Sequence, residues 1–91
     1  MSEAVVLIQV QLRFFASLRE QLGAGERLEI PAGTSVAALR EQLCGRSAAH
    51  AEALGPGRAV RCALNQQMVM SDELLIPADA ELAFFPPVTG G

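Results

Sequence analysis

The sequence contains no lysine, no tryptophan and no tyrosine. All seven basic residues are arginine. The chain therefore has no Walker-type phosphate lysine, no Schiff-base amine and no internal acceptor for an isopeptide bond. Genomic base composition is a sufficient cause of the same absence. Aromatic residues amount to 4%, all phenylalanine, so a core must be built mainly from Leu, Val, Ile and Ala. Cys44 and Cys62 stand 18 residues apart with no C-x-x-C pair, and His50 is the only histidine. That is not a zinc-binding spacing, and no metal site is expected. Each cysteine falls at a patterned apolar position, which reads as a reduced, buried thiol suited to the cytoplasm. A basic excess is also missing. The net charge is −3, which argues against a phosphate-backbone site and so against a nucleic-acid partner. Met1-Ser2-Glu3 carries no positive charge cluster, and the apolar run Ala4–Ile8 is too short for a signal or membrane segment. A cytoplasmic protein with no membrane partner is expected.

What remains is rich in aliphatic residues. A chain of 91 residues that is 51% hydrophobic can fold as one domain rather than stay disordered. Ile8, Val10, Leu12 and Phe14 alternate with Gln9, Gln11 and Arg13, the mark of a half-buried strand. Phe15 then points away from the core face. Ser17-Leu18-Arg19-Glu20 has capping-box spacing, and Gly23 offers a stop, so a short helix is expected over 17–22. Glu26–Ile30 reads as a second strand ended by Pro31. Thr34 or Ser35 can cap a helix from Val36 to about Cys44, with Val36, Leu39 and Leu43 on its inner face and Gly45 closing it.

The Ala-rich stretch 45–57 is the least patterned. It fits a loop with a short helix around Ala48–Leu54, and His50 reads there as a solvated loop residue. Val60, Cys62 and Leu64 give a third strand, Asn65-Gln66-Gln67 a turn, and Met68–Met70 a short strand. Pro77-Ala78-Asp79-Ala80 is another turn. Glu81–Phe85 is the last strand, with Leu82 and Phe84 on one face and Ala83 and Phe85 on the other. Strands and helices mixed in this order, without a βαβ repeat, predict an α+β fold with a mixed sheet packed against one main helix. The ubiquitin-like β-grasp has this order. The domain is expected over residues 1–85, with an extended tail over 86–91.

That tail is Pro86-Pro87-Val88-Thr89-Gly90-Gly91. Two prolines cannot continue a sheet and favour an extended path. Six extended residues span roughly 20 Å, enough to leave the domain. The terminal glycines have no side chain and fit a channel about as wide as a backbone. The chemistry left there is the α-carboxylate of Gly91, which can become an acyl-adenylate and be intercepted by a sulfur or amine nucleophile.

Glu81-Leu82-Ala83-Phe84-Phe85-Pro86-Pro87-Val88-Thr89-Gly90-Gly91 resembles the C-terminal signature of the small subunit of molybdopterin synthase, the MoaD family. Phe14-Phe15-Ala16-Ser17-Leu18-Arg19-Glu20 with Gly23 is similar to the same family's first strand end and short helix, and Leu64-Asn65-Gln66 to its third-strand turn. The Pro77-Ala78-Asp79-Ala80-Glu81 segment departs from the family, which often has Gly before Asp.

The resemblance implies a ubiquitin-like sulfur carrier for molybdenum cofactor biosynthesis. An E1-like adenylating enzyme would use ATP and Mg²⁺ to activate Gly91, and a sulfur donor protein would convert it to a thiocarboxylate. The large catalytic subunit would then pass that sulfur to cyclic pyranopterin monophosphate. This chain would bind no cofactor and would be no enzyme by itself; the complex would be a heterotetramer. The resemblance also implies an apolar docking patch of Phe15, Met68 and Phe85, with Arg19 as a nearby polar contact. The alternation of the strands independently turns Phe15 and Phe85 away from the core, and an exposed aromatic pair suggests a binding site. A thiamine-pathway sulfur carrier, a ubiquitin-like protein modifier and an interaction domain with an inert tail share the fold and stay open on sequence.

Overall fold

A computed structural model describes residues 5–55 and 57–87 of the chain. In chain order the elements are β1 (Leu7–Phe14), α1 (Ser17–Leu22), β2 (Gly25–Pro31), α2 (Val36–Cys44), α3 (Ala48–Leu54), β3 (Arg61–Leu64), β4 (Gln67–Met68) and β5 (Ala80–Phe85). The five strands form one mixed sheet in the order β2-β1-β5-β3-β4. β1 pairs antiparallel with β2 and parallel with β5, while β3 pairs antiparallel with both β4 and β5. A mixed sheet of the β-grasp class is what the element order predicts, while the strand order itself comes from the structure. Among the described residues no helix is long and apolar enough to cross a membrane.

The period-2 pattern of the strands becomes a two-faced sheet. Val10, Leu12 and Phe14 of β1, Ile30 of β2, Cys62 of β3 and Ala80, Leu82 and Phe84 of β5 are buried on its inner face. Val36, Leu39 and Leu43 of α2 close over them, joined by Leu18 of α1, Ala53 and Leu54 of α3, and Ile76. Phe14 and Phe84 face each other across the β1–β5 pairing, with ring centroids 6.0 Å apart and planes at 21°. With few aromatics available, this pair supplies the largest side chains of an otherwise aliphatic core. Arg40 then ties the helices together. Its guanidinium donates to the carbonyls of Leu54 (2.6 Å), Gly55 (3.3 Å) and Arg58 (3.2 Å), so the end of α3 and the approach to β3 are held to α2.

Several local expectations are corrected. The capping box at Ser17 does not form. Ala16 occupies the N-cap with φ 55° and no side-chain cap bond. The first-turn donors go to backbone oxygens instead, Leu18 N–H and Arg19 N–H to Phe15 and Glu20 N–H to Ala16. The helix α2 is capped as expected, by Ser35 of the two candidates, its hydroxyl accepting from Ala38 N–H at 3.1 Å.

His50 is not in a loop. It sits in the first turn of α3, and its Nδ1 lies 2.7 Å from the hydroxyl of the N-cap residue Ser47. Cys44 is half-buried against the core rather than fully buried, because it ends α2 beside the turn at Gly45. The hairpin turn after β3 has two residues, not three. Asn65 and Gln66 both take positive φ (50° and 69°), the type I′ geometry that matches strand twist. Gln67 thereby pairs with Leu64, and β4 ends at Met68, short of Met70.

Candidate functional site

Strand register sets where the residues of the expected patch stand. Met68 of β4 pairs with Ala63 of β3, Ala63 with Ala83 of β5, and Ala83 with Arg13 of β1. These four residues form one row on the outer face. With strands spaced about 4.8 Å, Met68 stands roughly 10 Å from Ala83. The next outward-facing position along β5 is Phe85, about 6.7 Å further on, and its cross-strand partner is Arg61. Phe15 follows Phe14 at the end of β1, and its N–H donates to the carbonyl of Phe84 at 3.1 Å. The parallel β1–β5 pairing therefore brings Phe15 and Phe85 to the same end of the sheet.

Phe15 and Met68 are 43% and 45% exposed. Phe85 is half-buried, not fully exposed as its alternation suggested, because β5 is a central strand with neighbours on both sides. The register places Ala63, Ala83 and Arg61 between Phe85 and Met68, and the two alanines leave a shallow floor there. Arg19, exposed in the first turn of α1, has its N–H 3.4 Å from the carbonyl of Phe15. Met68 and Phe85 thus stand on the outer face, Phe15 follows β1 beside Phe84, and Arg19 comes after it in the first turn of α1.

The charges around the patch differ in kind. Arg13 Nε lies 2.8 Å from Glu81 Oε2, a pair formed across the parallel strands. Arg46 pairs with Glu26 away from this face. Among the described residues, neither Arg19 nor Arg61 has a carboxylate partner. Sequence reading missed Arg61, since alternation turns it outward but gives no sign of which neighbour it will face. It also missed Asn65. The Asn65 side-chain oxygen accepts from Glu81 N–H at 2.9 Å, and Asn65 N–H donates to the Glu81 carbonyl at 2.8 Å. Asn65 therefore fixes the hairpin to β5 and sets the height of Met68 against Phe85.

β5 leads directly from the patch into Pro86 and Pro87. Pro86 is half-buried and lines a cleft of about 240 Å³ with Leu18, Ala53 and Val60, while Pro87 is exposed. Val88, Thr89, Gly90 and Gly91 lie outside the described residues. The two thiols do not add to the site. Cys62 is buried on the inner face, and burial, reinforced by the charge of Asp72 and only partly offset by Arg40, pushes its pKa up to about 11. A protonated, buried thiol is a poor nucleophile at neutral pH. Among the described residues, no three His, Cys, Asp or Glu side chains come together as metal ligands.

A sequence model of the ThiS family matches residues 12–91. The chain is 41% identical over 83 residues to the molybdopterin synthase sulfur carrier subunit of Escherichia coli strain K12, covering 90% of this chain and 99% of that one. Its fold is similar to SAMP1 of Haloferax volcanii, a small archaeal modifier protein, with a TM-score of 0.73 and 25% identity over 91% of this chain and 99% of that one. It is also similar to a chain in the complex of subunits 1 and 2 of molybdopterin-converting factor from Helicobacter pylori, with a TM-score of 0.64 and 26% identity over 92% of this chain and all of that one.

Proposed function

Because the chain belongs to the ThiS family, we propose that it is the sulfur carrier of molybdenum cofactor biosynthesis, working through the carboxylate of Gly91. The observation that carries this reading is the 41% identity that spans 99% of the Escherichia coli sulfur carrier subunit. The Phe84-Phe85-Pro86-Pro87-Val88-Thr89-Gly90-Gly91 ending supports the same reading.

The chemistry proceeds in two stages. An E1-like enzyme with ATP and Mg²⁺ lets a Gly91 carboxylate oxygen attack the α-phosphorus, which releases pyrophosphate and leaves an acyl-adenylate. Sulfur from a donor protein then displaces AMP at the acyl carbon, and the product is a thiocarboxylate. The large catalytic subunit receives the tail, provides the catalytic side chains and passes the sulfur to cyclic pyranopterin monophosphate. This chain supplies a steric fit and an aim. Gly90 and Gly91 pass narrow walls, Pro86 and Pro87 reduce the entropy lost on capture, and Phe15, Met68 and Phe85 hold the domain against its partner. Val88 and Thr89 join the prolines to the glycines in the sequence.

The likeness to SAMP1 favours a second reading, a modifier joined to target lysines, which uses the same adenylate but an amine nucleophile. The ThiS match also keeps the thiamine-pathway carrier in view. Intact mass separates these. After incubation with the adenylating enzyme, ATP and a sulfur source, replacement of one oxygen by sulfur adds about 16 Da. Addition of the large subunit and the pterin precursor then yields molybdopterin, and a chain lacking Gly90 and Gly91 yields none. A chain that gains no mass, or a truncated chain that still supports molybdopterin formation, would end the carrier reading.

A further inference from the structure

We propose that Arg61 is a specificity contact of the docking face, pairing with a carboxylate that the large catalytic subunit presents beside an apolar side chain seated on the Ala63–Ala83 floor. The proposal rests on the carrier reading for the identity of the partner. Its own basis is the geometry of the sheet. Arg61 is the cross-strand neighbour of Phe85 and lies two positions from Ala63 on the same face. Directly opposed residues have Cβ atoms about 5 Å apart. A partner that covers Phe85 therefore covers Arg61 as well.

Covering a guanidinium is costly unless an acceptor replaces its water. Among the described residues no such acceptor is in place. The outward-facing Arg13 is neutralised by Glu81 at 2.8 Å, and Arg40 spends its donors on three carbonyls. Arg61 is exposed and, among the described residues, has no carboxylate partner. The required acceptor must come from the partner, and a carboxylate matches the fork of a guanidinium best.

The floor sets the second half of the match. Ala63 and Ala83 are the smallest side chains on this face, and Phe85 and Met68 rise beside them. Apolar contact there gives affinity, while the charge beside it rejects surfaces that lack a carboxylate. The positive spot is local, since the chain as a whole carries −3.

The test measures affinity for the purified large subunit with wild type, Arg61→Glu, Arg61→Met and Arg27→Glu. Arg27 lies on the same sheet face in β2, opposite Gln11 and away from Phe85, so Arg27→Glu makes the same change in net charge without touching the patch. Arg61→Glu should weaken binding by roughly tenfold or more and flatten its dependence on salt. Arg61→Met, which keeps an unbranched apolar stem but removes the guanidinium, should weaken it in the same direction by leaving the partner's carboxylate unpaired. Arg27→Glu should change affinity by no more than about twofold. Circular dichroism and thermal unfolding check that each variant is folded. Equal binding by wild type and Arg61→Met, or an equal loss from Arg27→Glu, would overturn the proposal while leaving the carrier reading intact. Failure of folded wild type to bind the large subunit at all would remove both.

Discussion

Phe84 and Phe85 are neighbours in sequence, identical in chemistry and opposite in environment. Phe84 is 1% exposed and stacks on Phe14, whereas Phe85 shares the outer face with Arg61 and Ala83. Phe14 and Phe15 repeat the division, at 3% and 43% exposure. All four phenylalanines of the chain stand in these two dipeptides. One of each pair is buried in the core, and the other faces outward, where the docking patch is proposed. If the proposed docking holds, the two faces of the sheet separate stability from recognition, and a single step along the strand crosses between them.

The largest consequence concerns Phe84. Phe84→Ala removes a large side chain from a filled core and should cost about 3–5 kcal/mol of unfolding free energy. Phe85→Ala should cost about 1 kcal/mol yet weaken binding of the large subunit by at least roughly tenfold. Denaturant unfolding and a binding titration on both variants read the two effects separately. Equal destabilisation by the two substitutions would show that the outer aromatic is structural after all.

Alternation alone makes this division legible in the sequence. Period 2 in residues 8–14 and 81–85 assigns inner and outer faces without knowledge of the partner strand. The sheet order is less accessible. The β1–β5 pairing joins segments nearly 70 residues apart in the chain, and no local pattern encodes it. For the same reason the Arg13–Glu81 ion pair and the Arg40 clamp leave no trace in the sequence pattern, since each depends on tertiary placement. Met68 joins the patch through family resemblance alone. Its place beside Ala63 depends on the two-residue turn at Asn65-Gln66, and a three-residue reading of that turn leaves its register open. Capping at Ser17 fails because the chain leaves β1 through a positive φ at Ala16, a conformation that alanine does not advertise.

The inner face also holds Cys62, and here the missing residues sharpen the test. The chain has no lysine and no tyrosine, so its thiols are the only side chains whose ordinary pKa values fall near the window from pH 9 to 11. Burial raises Cys62 from 9.0 to about 11. In that window the unfolded chain has lost the proton that the folded chain still binds, so stability must fall as pH rises. The loss is absent below the unfolded pKa and complete above the folded one. A shift of this size corresponds to about 2–3 kcal/mol. Wild type should lose that much more stability than Cys62→Ala between pH 8 and pH 11, measured by urea unfolding at each pH. Parallel pH profiles for the two proteins would mean that β3 does not shield its inner residue as the sheet geometry requires.

The smallest effect is expected from the outer-face pair of Arg13 and Glu81. Their side chains are 53% and 33% exposed, so water and salt screen the attraction, and two long side chains lose freedom to form it. Such pairs contribute about 0–1 kcal/mol. A double-mutant cycle with Arg13→Ala and Glu81→Ala should therefore give a coupling below about 1 kcal/mol, smaller still at high salt. The pair matters in another way. It removes the charge of Arg13 from the row that ends at Met68, so that Arg61, which has no carboxylate partner among the described residues, stands as the charge beside Phe85. Glu81→Ala should free Arg13 and raise affinity for an acidic partner surface by a few-fold at low salt, with little change in unfolding free energy. A coupling of several kcal/mol would instead place Arg13 and Glu81 among the groups that hold the sheet together, and the outer face could no longer be set apart as the side kept for partners.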